Sequence, residues 1–181
     1  YLADSLAHLM KTEFNAFVWW DLRNGQDTGG DFNAGLYGWR TYGDLGIIGN
    51  LNTRYPTFYM FKLMKFFASA GDTVLDASSD YSQLPVYSSR KADGSVAVLV
   101  INKDNSTTFN AQLSLGNYLP WTNALTRSFG IAQDEATRIN SAVPGAQDIA
   151  TNVVAVAGTN FVASFPPYSV TLLTIPPAQT H

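Results

Sequence analysis

Cysteine is absent from this 181-residue sequence, so disulfides, thiolate catalysis and cysteine-based metal sites are excluded. Histidine is nearly absent too. The two present are His8, in a helical stretch, and His181, the last residue, which leaves a transition-metal site almost no ligands. Aspartates are scattered but form no EF-hand loop. The glycine-rich stretch lacks the Gly-Lys-Ser/Thr ending of a phosphate loop, and no Gly-x-Ser-x-Gly elbow accompanies His8. No metal and no cofactor are therefore expected. Charge is also scarce, at 14% of residues against a usual ~25%. With a net charge of −3 and no Lys/Arg cluster, the composition argues against nucleic acid and against an anionic membrane surface. No apolar run is long enough to cross a bilayer. The chain opens at Tyr1 and shows no signal peptide, which reads as a processed product or a fragment with any targeting segment upstream.

Against these absences stand 46% hydrophobic residues, 13% aromatics and many Asn, Thr and Ser, a balance suited to a sizeable core and to neutral polar partners. Leu2, Leu6, Leu9 and Met10 recur at i, i+4, i+7 and i+8, one face of an amphipathic helix to about Thr12, with Ala3 and Ala7 allowing close packing beside it. Ala16–Trp20 is too short for a helix and apolar on both faces, as buried parallel strands are. Between Asn24 and Asn52 lie 29 residues with eight glycines and no sustained period. Phe32, Tyr37, Trp39 and Tyr42 make this an ordered surface loop rather than a disordered one, able to cover a site. A second helix follows to Ala68, with Thr53 as N-cap, Pro56 in its first turn and Gly71 beyond its end. Phe58, Phe61, Met64/Lys65 and Ala68 mark one apolar face, and Met60, Leu63, Phe66 and Phe67 widen it.

From Asp72 the texture changes to short alternating segments with turn signals, the pattern of a β-sandwich. The predicted strands are Thr73–Ala77, Pro85–Lys91, Ser95–Asn102, Phe109–Leu115, Ala124–Phe129, Asn152–Ala157, Asn160–Phe165 and Ser169–Ile175. Asp93-Gly94 predicts a hairpin between the second and third, and Gly158-Thr159-Asn160 another tight turn. Ser95–Asn102 is apolar on both faces, hence central. Residues 130–150 read as a polar, irregular excursion.

Cleavage of a sugar linkage would need two carboxylates, and only two glutamates are present. Glu13 sits at the helix-to-strand junction, the wrong end of a barrel strand, and Glu135 lies in the excursion. No catalytic residue is assigned. The stretch Phe17-Val18-Trp19-Trp20-Asp21-Leu22-Arg23-Asn24 is more informative, because an apolar run turns abruptly polar where a strand reaches a binding mouth. Adjacent strand residues face opposite ways, so at most one of Trp19 and Trp20 faces a site and the other packs beneath the helices. An indole beside Asp21, Arg23 and Asn24 is the apolar–polar mixture that a sugar site uses, since the ring stacks on a pyranose face while the polar groups bind hydroxyls. Plain packing of both indoles is the competing expectation.

The segment Thr12–Gly25 resembles the last barrel strand of a clan A glycoside hydrolase. Leu36–Asp44 and Arg54–Tyr59 resemble the loop and final helix that follow it. Val98–Lys103 and Phe165–Thr171 are similar to the β-sandwich attached to such barrels in bacterial endoglucanases, xylanases and arabinofuranosidases, family 44 included. The resemblance implies a mainly β fold: an antiparallel β-sandwich of about eight strands (72–181) preceded by a helix-strand-helix remnant of a (β/α)8 barrel (1–71). It implies a secreted enzyme of plant β-glycan breakdown whose two catalytic glutamates lie upstream of Tyr1. It gives Trp19 or Trp20 a sugar-lining role, and Asp21, Arg23 and Asn24 are added to the substrate-binding set by their position. The partners expected are a polysaccharide or oligosaccharide and, because a lone remnant exposes apolar helices, an N-terminal barrel chain or a second copy, unless the remnant folds onto the sandwich. A sandwich acting as a carbohydrate-binding module would instead need coplanar exposed aromatics, for which Tyr81, Tyr87, Tyr118 and Trp121 are the candidates. A purely structural domain is the third alternative.

Overall fold

A computed structural model describes residues 1–23, 46–48, 52, 54–138 and 147–179, with residues 135–138 described by their backbone. Asn24, Thr53 and most of the glycine-rich loop lie outside the described residues. The elements run α1 (Leu2–Leu9), α2 (Pro56–Phe67), β1 (Thr73–Leu75), β2 (Val86–Arg90), β3 (Val96–Asn102), β4 (Phe109–Ser114), β5 (Asn123–Phe129), α3 (Ile131–Arg138), β6 (Ala150–Ala155), β7 (Asn160–Phe165) and β8 (Ser169–Ile175). The fold is mainly β, and its eight strands form an antiparallel sandwich. One sheet has six strands in the order β1-β2-β3-β8-β5-β6, and the other pairs β4 with β7.

The two-residue alternation of β3 organises both layers. Val96, Val98 and Val100 pack with Phe161 and Phe165 of the small sheet and with Leu173 and Ile175. Ala97, Leu99 and Ile101 point the other way, against Leu63 and Phe67 of α2 and Leu172 of β8. All seven residues of β3 are buried, as expected of a central strand between β2 and β8. The turn into β3 has Gly94 at φ +83°, where its N–H donates to Lys91 O at 3.0 Å and Asp93 Oδ1 accepts from Ser95 N at 2.9 Å. The turn at Gly158 serves a different purpose, carrying the chain from β6 in the large sheet to β7 in the small one.

The helices settle on the outer face of the large sheet and share one core with it. Helix α1 buries Leu2, Ala3 and Ala7, so its small-residue side makes the contact while Met10 is exposed. Helix α2 buries Tyr59, Met60, Leu63, Met64 and Phe67, so the buried stripe is centred on the widened side of the expected face, with Tyr59 added to it. The sequence there is apolar on nearly every side, so periodicity alone does not choose a stripe; the flat sheet does. Pro56 stands at N1 with Tyr55 as N-cap, not Thr53. The Ser89 hydroxyl, fully buried in β2, donates to Phe67 O and pins the end of α2 to the sheet. Tyr59 stacks on Phe129 of β5 with centroids 5.1 Å apart. Opposite, Tyr87 Oη donates to Asp4 Oδ1 at 2.7 Å and Lys103 Nζ lies 2.8 Å from Asp4 Oδ2, which ties α1 to β2 and the end of β3. The excursion after β5 is not wholly irregular, because α3 opens it, with Gln133 Oε1 accepting from Gly130 N at 2.9 Å.

Candidate functional site

Residues 13–18 are exposed and carry no strand pairing, contrary to the buried strand expected at Ala16–Trp20. A parallel strand of that composition is buried only when strands flank it, and none does so here among the described residues. Phe14 is 71% exposed, Val18 89%, Trp20 83% and Leu22 67%. Trp19 alone turns inward. It is half-buried among Tyr1, Phe17 and Phe61, with an edge-on approach to the Phe61 ring at 6.4 Å. One indole packed and the other in solvent is the division expected of adjacent residues.

Beyond Trp20 the backbone is held. The Trp20–Asp21 peptide is cis. Asp21 O and Leu22 O accept from Ile47 N and Ile48 N at 3.1 and 3.0 Å, and Arg23 bridges Ile48 in parallel. Ile47 O in turn accepts from Tyr55 N at 3.1 Å, and Thr57 Oγ1 donates to Gly46 O at 2.6 Å. The short segment 46–48 therefore joins residues 21–23 to the first turn of α2. Asp21 Oδ1 is buried and accepts no hydrogen bond. Arg23 Nη2 donates to Asn52 Oδ1 at 2.7 Å, and Asn52 takes φ +58° to present that oxygen. Asn24 lies outside the described residues. Trp20, Asp21 and Arg23 thus follow one another along one anchored turn, while Trp19 supports it from below.

Sequence reasoning missed Asn52 and the 46–48 segment. No spacing rule links Arg23 to a partner 29 residues on. The one available signal was that a glycine-rich stretch must return to α2 somewhere. Glu13 is exposed, eight residues before Asp21 along the segment.

The aromatic candidates on the sandwich do not form one platform. Tyr87 is buried, and both burial and the Asp4 carboxylate beside it push its phenol above the usual value. Tyr118 Oη donates to Ile175 O at 2.6 Å. Tyr81 lies edge-on to Phe109 at the Asn102 end of the sandwich, whereas Trp121 N donates to Pro176 O beyond Ile175, at the opposite end.

No protein-family model matches the sequence, and no curated protein matches it. Solved structures do. A GH30 endoxylanase from Clostridium papyrosolvens C71 aligns over 98% of this chain and 37% of its own, at 14% identity and a TM-score of 0.62. CelM2, a bifunctional glucanase-xylanase from a metagenome library, aligns over 70% of this chain and 24% of its own, at 23% identity and a TM-score of 0.54. An α-L-arabinofuranosidase from Thermotoga maritima aligns over 72% and 31%, at 16% identity and a TM-score of 0.53. The likeness to clan A glycoside hydrolases expected from the motifs is thus present as a likeness of fold. The chain spans 24–37% of the length of these proteins, a share that fits the C-terminal part of such an enzyme.

Proposed function

We propose that this chain is the C-terminal segment of a secreted bacterial glycoside hydrolase acting on plant cell-wall β-glycans. The observation that carries the proposal is the uncovered apolar band at Phe14–Leu22, which ends in an exposed indole and an unsatisfied buried carboxylate oxygen. A band of this kind is a strand waiting for neighbours on either side. The strands of an N-terminal barrel would cover it and place Trp20 in the mouth, and the solved structures with this fold are named as xylanases, a glucanase-xylanase and an arabinofuranosidase.

Within that enzyme, Trp20 stacks on the apolar face of a sugar and Trp19 positions it by packing against Phe61 and Tyr1. The free oxygen of Asp21 accepts a sugar hydroxyl. Arg23 and Asn24 order hydroxyls or the catalytic groups, with Arg23 steadied by Asn52. Both catalytic carboxylates come from outside this chain and act by a retaining double displacement across a gap of about 5 Å. Residues 1–71 belong to the barrel and 72–181 to the sandwich that buries its flank.

The test is substitution in the polypeptide that carries the barrel. Trp20→Ala should lower kcat/KM on a β-glycan by about 30-fold or more, roughly 2 kcal/mol of lost transition-state binding. Unchanged activity and unchanged substrate binding in both Trp19→Ala and Trp20→Ala would overturn the site.

A further inference from the structure

The helices cover the outer face of the large sheet unevenly. Ala97, Leu99 and Leu172 are fully buried against them. Toward the start of β5 the cover stops. Val153, opposite Leu125, is 65% exposed, Asn123 and its partner Ala155 are exposed, and Trp121 is 38% exposed. Alternation puts Asn123, Leu125 and Arg127 on this face, because Ala124 packs inward with Phe161 and Phe165. The ladder runs one step past Asn123, where Val156 N donates to Thr122 O at 2.8 Å, and Trp121 N donates to Pro176 O at 2.8 Å. Trp121 therefore continues the row of Asn123 and Leu125, beside Pro176.

The chemistry of this corner is neutral. The row and its neighbours Val153, Ala155 and Pro176 carry no charge until Arg127, whose guanidinium lies 4.1 Å from the Phe66 ring centroid. Neither the Trp121 indole N–H nor the Asn123 side-chain amide makes a hydrogen bond among the described residues. Size narrows the choice of partner. Three strands span about 10 Å and residues 121–125 about 13 Å, an area of roughly 150 Å². A stable protein interface takes about 800 Å² from each partner. One or two pyranose rings fit the corner, and an uncharged indole beside a free amide is what they bind. The corner is also remote from residues 21–23. Trp121 lies about 25 Å along the strand from Phe129, on which Tyr59 of the first turn of α2 stacks.

We propose that this corner is a second, non-catalytic sugar-contacting surface. The Trp121 indole stacks on one ring of a neutral β-linked glycan, and its N–H and the Asn123 amide bind hydroxyls of that ring or the next. One indole makes a weak contact, suited to a polymer that is held at several points. The inference rests on the reading of this chain as part of a glycan-acting enzyme, and adds a contact away from the position of cleavage.

The probe is xylohexaose, a β-linked xylan fragment, titrated into the isotope-labelled 181-residue chain and followed by NMR. Four tryptophans give four indole N–H signals, and the one lost in Trp121→Ala belongs to Trp121. That signal should shift saturably with sugar, and Asn123→Ala should raise the half-saturating concentration at least about threefold. In native gels containing xylan, Trp121→Ala should lose at least about fivefold of the wild-type retardation, and Trp121→Phe, which keeps a ring, should recover part of it. Trp20→Ala should leave the Trp121 shift unchanged, so the corner and the site around Trp20 can fail separately. The proposal is overturned if the Trp121 signal stays fixed in excess xylohexaose, if only the Trp20 signal moves, or if Trp121→Ala is retarded as strongly as the wild type. Movement of the Trp121 signal with protein concentration and no sugar would also overturn it, assigning the corner to a second copy.

Discussion

Strand β3 and the segment Phe14–Leu22 have nearly the same kind of sequence and opposite surroundings. Both are short, apolar and without charge over most of their length. Every residue of β3 is buried between two layers, whereas Val18 and Trp20 are 89% and 83% exposed. The difference lies in the neighbours. The sandwich supplies β2, β8, α2 and the small sheet to cover both faces of β3, while the N-terminal segment has α2 beneath it and no flanking strand among the described residues. Composition says that a strand needs burial, and only the rest of the fold says whether this chain provides it.

Substitutions in the two regions should differ widely in their cost. The largest effect is expected from Leu99→Ala, which opens a cavity at a fully buried site and should cost about 3–5 kcal/mol in denaturant unfolding. Asn102→Ala comes next, at about 2–3 kcal/mol, because the buried Nδ2 donates to Thr107 O, Phe165 O and Pro166 O at 2.8–2.9 Å and Oδ1 accepts from Asp104 N at 2.9 Å. Loss of that amide removes a donor from Phe165 O and Pro166 O where β7 leaves the small sheet, although Pro166 O keeps the Ser169 hydroxyl.

A pH effect tests the tie between the two regions. Burial raises the carboxyl of Asp4, but the hydrogen bonds from Lys103 and Tyr87 outweigh it and hold the group below the usual value. A folded value below the unfolded one, about 3.9, means that the contribution is complete above that pH and is lost as pH falls through the folded value. The wild type should therefore lose stability below about pH 4 more steeply than Asp4→Asn, as thermal melts across pH 2–6 would show. Equal slopes would mean that the Asp4 cluster does not hold α1 to the sheet. The smallest effects belong to the surface. Val18→Ser should shift stability by less than about 0.5 kcal/mol in the isolated chain, and Lys62→Ala, which removes an exposed ion pair with Asp148, by a similar amount. A cost at Val18 comparable with that at Leu99 would mean that the band is already covered.

The eight strands were legible in the sequence because alternation, the Asp93-Gly94 turn and the change of texture near Gly71 all act locally. The sheet order was not, since β4 and β7 meet only through two crossings between layers. The face of α2 was ambiguous because its apolar residues nearly encircle it. Trp19 packs inward and Trp20 outward, although the strand from which that division was expected is not formed. The Arg23–Asn52 contact, the return of 46–48 beneath the mouth and the stranded oxygen of Asp21 depend on tertiary placement, and no local pattern announces them.

The most direct test of the contrast is amide hydrogen exchange on the isolated 181-residue chain, read residue by residue. Amides of β3 should exchange only through global unfolding, whereas amides of residues 14–19 should exchange within a few tenfold of the unprotected rate. Protection of 14–19 equal to that of β3 in the monomer would contradict that contrast, because the segment would then be complete without a partner.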